Sequence, residues 1–190
     1  MEAAIAGGAD VVQLRDKRAT DSELAKEAEA LLGVTRACGI PLIINDRIAV
    51  AKRVGADGVH LGQADGSIEK ARKILGPGAI IGRSTHSRAQ ALQAQKEGFD
   101  YIGVGPVFST PTKPSYPPVG LDLIRFASQN IGIPFVAIGG IDASNVEAVR
   151  RAGARAVAVV RAVMGAENPC VAAKKLVETL RATSLPPSGF

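Results

Sequence analysis

The chain has 190 residues, 23 Lys and Arg against 18 Asp and Glu, and 46% hydrophobic residues. Ordinary apolar content with a net charge of only +5 excludes a disordered or collagen-like chain. The longest apolar runs, such as Ile133–Ile141 and Ala156–Val160, fall well short of the roughly 18 residues that a membrane-spanning helix needs.

The start, Met1-Glu2-Ala3-Ala4, carries neither the charged nor the apolar region of a secretion signal, which points to the cytoplasm or an organelle stroma. Two cysteines, Cys38 and Cys170, are too few for a disulfide framework and are expected as free thiols. The basic residues are scattered, aromatics make up 4% and Trp is absent. A base-stacking platform is therefore not expected, and phosphorylated small molecules suit the charge balance better than nucleic acid.

In chain order, Met1–Gly8 reads as the last turns of a helix, and a strand begins near Val11. Thr20-Asp21-Ser22-Glu23 supplies cap and first-turn acids for a helix running to about Cys38. Strands follow at Pro41–Asn45 and from Gly58, then a helix over Ser67–Leu75 that stops before Gly76-Pro77. A strand over Ala79–Gly82, a helix over Ser87–Glu97 and a strand from Tyr101 come next. The chain continues with a helix over Leu121–Gln129, a strand over Pro134–Gly139, a helix over Ser144–Ala152 and a strand over Ala156–Val160. A helix from about Asn168 to Ala182 follows, and Ser184–Phe190 reads as a disordered tail. One phrase recurs, around Gly7-Gly8, Gly55-Ala56-Asp57, Gly98-Phe99-Asp100 and Gly153-Ala154-Arg155: a helix end stopped by Gly, a short turn, then an apolar strand.

Short apolar strands alternating with helices predict a parallel sheet, and the repeating phrase predicts a single (β/α) barrel over 1–183 of the TIM type. No G-x-G-x-x-G opens a helix after the first strand, which disfavours a dinucleotide-binding fold. Seven strands are visible where a (β/α)8 barrel has eight. The expectation is that the first strand lies upstream and that the edges at Val11–Leu14 and Ala156–Val160 are unpaired. Such edges invite aggregation or a homo-oligomer.

Barrel chemistry sits where strands end. Strand alternation puts Gln13, Arg15 and Lys17 on one side of the first strand end, converging on the mouth. The second strand ends at Asn45-Asp46 and the third leads to Asp65. Two carboxylates at successive strand ends suit a Mg2+–diphosphate site, although Asp46 could instead cap a helix and Asp65 could serve a turn. The fourth strand leads into Ser84-Thr85-His86-Ser87, where hydroxyls could bind an anion or cap the next helix. The long irregular stretch after the fifth strand carries Thr110, Pro111, Thr112 and Lys113. Gly139-Gly140 and Val160-Arg161 complete a possible phosphate cradle, the glycines reading equally as a tight turn. His60 reads better as a satisfied core histidine than as a base. His86 shows no evident carboxylate partner in sequence, neither cysteine looks nucleophilic, and no spacing suggests zinc.

QLRDK at Gln13–Lys17, Asn45-Asp46, VHLGQAD at Val59–Asp65, STHS at Ser84–Ser87, GPVFSTPTK at Gly105–Lys113, IGGI at Ile138–Ile141 and VVRAVMGAENP at Val159–Pro169 resemble the thiamine-phosphate synthase family in order and over nearly the whole chain. The resemblance implies a TIM barrel joining a hydroxymethylpyrimidine diphosphate to a thiazole phosphate with Mg2+, releasing pyrophosphate. It implies that Gln13, Leu14, Arg15, Asp16, Lys17 and Asn45 hold the pyrimidine diphosphate, that Asp46 and Asp65 bind Mg2+, and that Ser84 and Lys113 contact the pyrimidine or its diphosphate. Arg15, Lys17, Ser84 and Lys113 are then the groups that act on the reaction. Thr110, Pro111, Thr112, Gly140, Val160 and Arg161 would line the thiazole phosphate site; many family members carry Ser where this chain has Arg161. A related thiazole tautomerase, with a histidine matching the Gly82–Ser87 loop, is the rival enzyme, and a non-catalytic phosphate-ligand binder is the third reading.

Overall fold

The computed structural model describes residues 1–110 and 117–182. Seven strands form one all-parallel sheet in sequence order: β1 (Val12–Leu14), β2 (Leu42–Asn45), β3 (Gly58–Leu61), β4 (Ile80–Thr85), β5 (Tyr101–Val104), β6 (Phe135–Ile138) and β7 (Val157–Ala158). The helices in chain order are α1 (Glu2–Ala6), α2 (Asp21–Ala37), α3 (Ile48–Val54), α4 (Ile68–Leu75), α5 (Arg88–Glu97), α6 (Gly120–Asn130), α7 (Val146–Arg151), α8 (Arg161–Met164) and α9 (Pro169–Arg181). Among the described residues β1 and β7 each pair on one side only, so the strands curl into a partial barrel. Where that layer is open, the outer layer is not: α1 packs on α9, with Gly7 against the Cys170 carbonyl and Gly8 against Val177.

Local chemistry sets these elements. Thr20 and Glu23 cap α2 reciprocally, the Glu23 N–H donating to Thr20 Oγ1 at 3.3 Å and the Thr20 N–H to Glu23 Oε2 at 2.8 Å. Ser67, Ser87 and Asn168 cap α4, α5 and α9 through their side-chain oxygens. In all four copies of the recurring phrase the glycine has positive φ: Gly8 at 103°, Gly55 at 67°, Gly98 at 87° and Gly153 at 107°. That left-handed step ends the helix and turns the chain back to the sheet. The aspartates of two copies do a second job. Asp57 accepts the Leu42 N–H at 2.8 Å and Asp100 accepts the Ile81 N–H at 2.6 Å, so each satisfies a backbone donor at the start of the preceding strand.

Pleating separates two chemistries. Val12, Leu42, Ile44, Val59, Leu61, Ile81, Ile102, Val104 and Ala137 point toward the helices and join one buried apolar cluster with Leu24, Ala28, Ala51, Ala71, Ala91, Ile124 and Val149. The alternate positions face the barrel interior and are largely polar or glycine. Gln13 lies beside Ile43, Asn45 beside His60, His60 beside Gly82, and Ser84 beside Gly103.

The expected elements agree with the structure to within one or two residues at most ends. The strand expected over Ala79–Gly82 runs on to Thr85, which brings Ser84 into the sheet. The one expected over Ala156–Val160 is shorter, because the chain turns at Val160 into α8. The helix implied by the Gly55 stop is α3, which starts at Ile48, and the short helix α8 has no counterpart among the expected elements. The expected tail at Ser184–Phe190 lies outside the described residues.

Candidate active site

The loop after β1 is shaped by Asp16, whose Oδ1 accepts the backbone N–H groups of Arg18 at 2.7 Å and Ala19 at 3.2 Å. Those bonds favour the ionised carboxylate and lower its pKa. Asp16 thus spends its charge on the turn, and the turn presents its neighbours. Arg15, Asp16, Lys17, Asn45, Asp46 and Arg47 line a cavity of about 190 Å³. Lys17 Nζ is 2.9 Å from Asp46 Oδ2, and Arg47 is held back by an ion pair to Asp21 at 2.9 Å.

Asp46 occupies the left-handed region at φ 64°, the one non-glycine residue to do so among the described residues. A non-glycine residue there is strained, and such strain concentrates at functional positions. It does not cap the next helix: α3 starts from Arg47 and has no side-chain cap. The conformation instead directs the Asp46 carboxyl toward Asp65. Burial, and then the hydrogen-bonding and charged Asp46 carboxyl, raise the pKa of Asp65, against the opposing pull of the Gly62 N–H and Lys17. Asp65 also serves its turn, its Oδ2 accepting the Gly62 N–H at 2.9 Å. The turn is clamped from β4 by Arg83, whose Nη1 donates to the Gly62 carbonyl at 2.9 Å and the Gly66 carbonyl at 2.8 Å. Its guanidinium lies 5.1 Å from the Phe99 ring centroid.

Deeper inside the barrel a polar network spans three strands. His60 Nδ1 is 2.9 Å from Tyr101 Oη and His60 Nε2 is 2.8 Å from Ser84 Oγ. Burial and the nearby Asp100 charge hold the Tyr101 hydroxyl protonated well above the ordinary phenol range. Gln63 Nε2 donates to the Ser84 carbonyl at 2.6 Å, fastening the loop after β3 to β4.

The structure therefore brings Gln13, Arg15, Lys17, Asn45, Asp46, Asp65 and Ser84 to the carboxyl ends of adjoining strands, while Leu14 turns toward the helices. At the other side of the mouth, the close approach permitted at Gly139 and Gly140 is made by the chain itself. A Cβ at Gly140 would lie 2.7 Å from the Ser109 carbonyl oxygen and 2.8 Å from Phe108 Cβ, and the Phe108 N–H donates to the Gly139 carbonyl at 3.0 Å. Val160 and Arg161 are exposed where α8 begins. Thr110 ends the described stretch after β5, and Pro111, Thr112 and Lys113 lie outside the described residues. Of the hydroxyls after β4, Ser87 caps α5, and Thr85 is fully buried and donates to the Gly103 carbonyl at 2.9 Å. His86 sits with Nδ1 against the Gly105 carbonyl. Cys38 is exposed at the end of α2.

Three residues here escaped the sequence reading: Arg83, Gln63 and Tyr101. A glycine two residues before Ser84, and another two residues after Tyr101, were the available sign that rings fill the barrel at that level.

Comparison with known proteins agrees with the geometry. The family described as thiamine monophosphate synthase matches residues 1–163. The chain belongs to that family. A thiamine-phosphate synthase of Chloroflexus aurantiacus is 49% identical over 177 residues, 93% of this chain and 82% of the relative. One from Thermus thermophilus is 48% identical over 180 residues, 94% of this chain and 86% of the relative. The chain spans about half the length of other relatives, such as the thiamine-phosphate synthase of Prochlorococcus marinus, of which it covers 51% at 45% identity. The solved structure of thiamine phosphate pyrophosphorylase from Pyrococcus furiosus superposes with a TM-score of 0.86 at 39% identity, covering 94% of this chain and 86% of that one. A 3-hexulose-6-phosphate synthase from Salmonella typhimurium, at 18% identity and TM-score 0.72, shares the fold.

Proposed function

We propose that the chain joins a hydroxymethylpyrimidine diphosphate to a thiazole phosphate, forming thiamine monophosphate and pyrophosphate, with Mg2+ held by Asp46 and Asp65. The observation that carries the metal assignment is the paired carboxyls beside Arg15 and Lys17, with Asp65 pushed toward its protonated form by burial and then by the Asp46 carboxyl. Two hard oxygen donors in mutual repulsion fit a divalent cation that leaves its other positions to phosphate oxygens and water. Among the described residues no third His, Cys, Asp or Glu joins them, which fits an ion shared with a ligand. When bound, Mg2+ supplies charge neutralisation to the departing diphosphate.

The side chains do the remaining work by position and charge. Lys17 and Arg15 face the same cavity, and the Lys17 ammonium, exposed to water on its side of the pair with the half-buried Asp46, is free to turn to a phosphate. Neutralising the leaving group lets the carbon–oxygen bond break while the aminopyrimidine ring spreads the charge left on its methylene, and the thiazole nitrogen then captures that carbon. Such a reaction asks for orientation and electrostatics more than for an acid–base pair. This accounts for a mouth built of cations, carboxylates and amides. The diffusible substrates and the absence, among the described residues, of a helix able to cross a membrane fit a cytoplasmic setting.

The deciding assay supplies both substrates with and without Mg2+. Pyrophosphate release that requires the metal and matches thiamine monophosphate formed supports the synthase. Isomerisation of a thiazole without metal would replace this reading with the tautomerase, and saturable binding without turnover would replace it with a ligand-binding barrel.

Two further results are expected. Replacing Lys17 with Ala weakens binding of the pyrimidine diphosphate by about 1.5–3 kcal/mol, the value of a charged hydrogen bond, so calorimetry giving an unchanged Kd removes Lys17 from the site. The second concerns pH. A raised carboxyl pKa means that Asp65 takes up its proton at a higher pH than an ordinary aspartate, and a metal binds the ionised form. Mg2+ affinity therefore falls with decreasing pH before the ordinary carboxylate range is reached. A titration in which it stays constant down to that range contradicts the pairing.

A further inference from the structure

The polar network inside the barrel has a direction. A buried phenol must place its proton on an acceptor, since an unpaired donor in the interior is costly. Tyr101 Oη lies 2.9 Å from His60 Nδ1. A neutral imidazole carries one proton, so accepting at Nδ1 leaves the proton on Nε2, which lies 2.8 Å from Ser84 Oγ. A serine hydroxyl whose oxygen accepts that bond keeps its own proton for another partner. The site is shaped for this arrangement. Gly82 sits against the Tyr101 ring, where a Cβ would overlap it, and a Cβ at Gly103 would lie 3.2 Å from His60 Cε1. The two rings lie side by side with centroids 5.4 Å apart, and His60 is 7% exposed.

We propose that His60 is a positioning residue: clamped by the Tyr101 hydroxyl at Nδ1, it donates Nε2–H to Ser84 and turns the Ser84 hydroxyl proton outward, toward an acceptor atom of the substrate. The acceptor is a ring nitrogen or a phosphate oxygen, the two acceptor types on a pyrimidine diphosphate. Reversed, the network would present Ser84 as an acceptor and leave the phenol proton without its histidine partner. The proposal rests on the reading of Ser84 as a substrate contact, and it adds the pair of residues that decide which way this contact points.

Nitrogen NMR of the 15N-histidine-labelled chain tests the polarity directly, and with two histidines in the sequence the His60 signals are assigned by their loss in His60→Asn. The expected form is neutral with the proton on Nε2; a proton on Nδ1 overturns the proposal. Tyr101→Phe keeps the ring and frees the imidazole to reverse, so kcat/KM for the pyrimidine diphosphate is expected to fall about tenfold, the scale of one oriented hydrogen bond. Ser84→Ala combined with Tyr101→Phe is then no worse than Ser84→Ala alone, because both act through one hydroxyl. Losses that multiply overturn the proposal, as does a Ser84→Ala variant with full activity. If the parent chain shows no turnover, the reaction proposed above fails, and the tautomer found by NMR still decides the direction of this network.

Discussion

Asp65→Asn lowers Mg2+-dependent turnover by about 10²–10³-fold, the scale seen when one preorganised charge-stabilising group is removed from an active site. The amide oxygen of Asn can still accept the Gly62 N–H that Asp65 accepts at 2.9 Å, and Arg83 still clamps the turn through the Gly62 and Gly66 carbonyls. Shape is therefore kept and charge alone is lost. Stability moves the other way. A carboxyl whose pKa is raised on folding is less comfortable ionised in the folded state than in the unfolded one, so it lowers stability as pH rises from the ordinary carboxylate range through the raised value. Asn removes that penalty, and the variant is expected to melt no lower than its parent at neutral pH, and slightly higher. Steady-state pyrophosphate release and a thermal melt check both halves. A variant with parental activity removes Asp65 from the metal site, and one that melts far lower shows that the carboxylate was structural.

The opposed signs belong together. Asp46 in a left-handed conformation and Asp65 facing it are arrangements that a chain selected for stability alone would avoid. Local consistency elsewhere in the molecule makes the exception visible: reciprocal capping at Thr20 and Glu23, glycine stops at Gly55 and Gly98, and strand-start bonds from Asp57 and Asp100 all favour the fold. The mouth is where that consistency is given up.

What could be read from the sequence follows the range of the forces involved. The glycine stops and serine caps act within a few residues, so the order and ends of the helices and strands were legible from composition and spacing. Convergence of Asn45, Asp46 and Asp65 was legible as well, because a parallel sheet puts all strand ends at one mouth. The alternation rule placed Gln13, Arg15 and Lys17 on one side without knowledge of their neighbours. His60 illustrates the limit. A satisfied interior histidine is what the sequence suggested, but its partners lie 24 and 41 residues away. Finding them requires the lateral register of three strands, and nothing local to His60 encodes it. Arg83 was hidden for a related reason: on a strand whose Gly82 and Ser84 face inward, it points outward and reaches over the strand end to the preceding loop. The Val-rich run ending at Val160 favours a strand end in sequence, whereas the chain folds there into α8.

Glycine substitutions separate what the sheet demands from what it tolerates, with opposite signs in one chain. At Gly58, the first residue of β3, a Cβ would overlap the backbone carbonyl of Ile80 on β4 and crowd the Ile80 Cβ as well. Gly58 pairs with Ile43 on one side and Ile80 on the other, so neither neighbouring strand has room to withdraw. Gly58→Ala is expected to cost on the order of 3 kcal/mol, at the upper end for overpacking because the obstacle is main chain rather than a movable side chain. For a chain of this size that is a fall in Tm of roughly 6–12 °C. At Gly33, exposed within α2, nothing lies within 4 Å of the same added atom. Gly33→Ala there raises stability by about 0.5–1 kcal/mol through helix propensity and reduced unfolded-chain entropy. Paired thermal melts measure both. A neutral Gly58→Ala would mean that β3 and β4 do not approach as closely as their register requires. The seating of His60 beside Gly82, two residues further along the same strand pair, would then lose its basis.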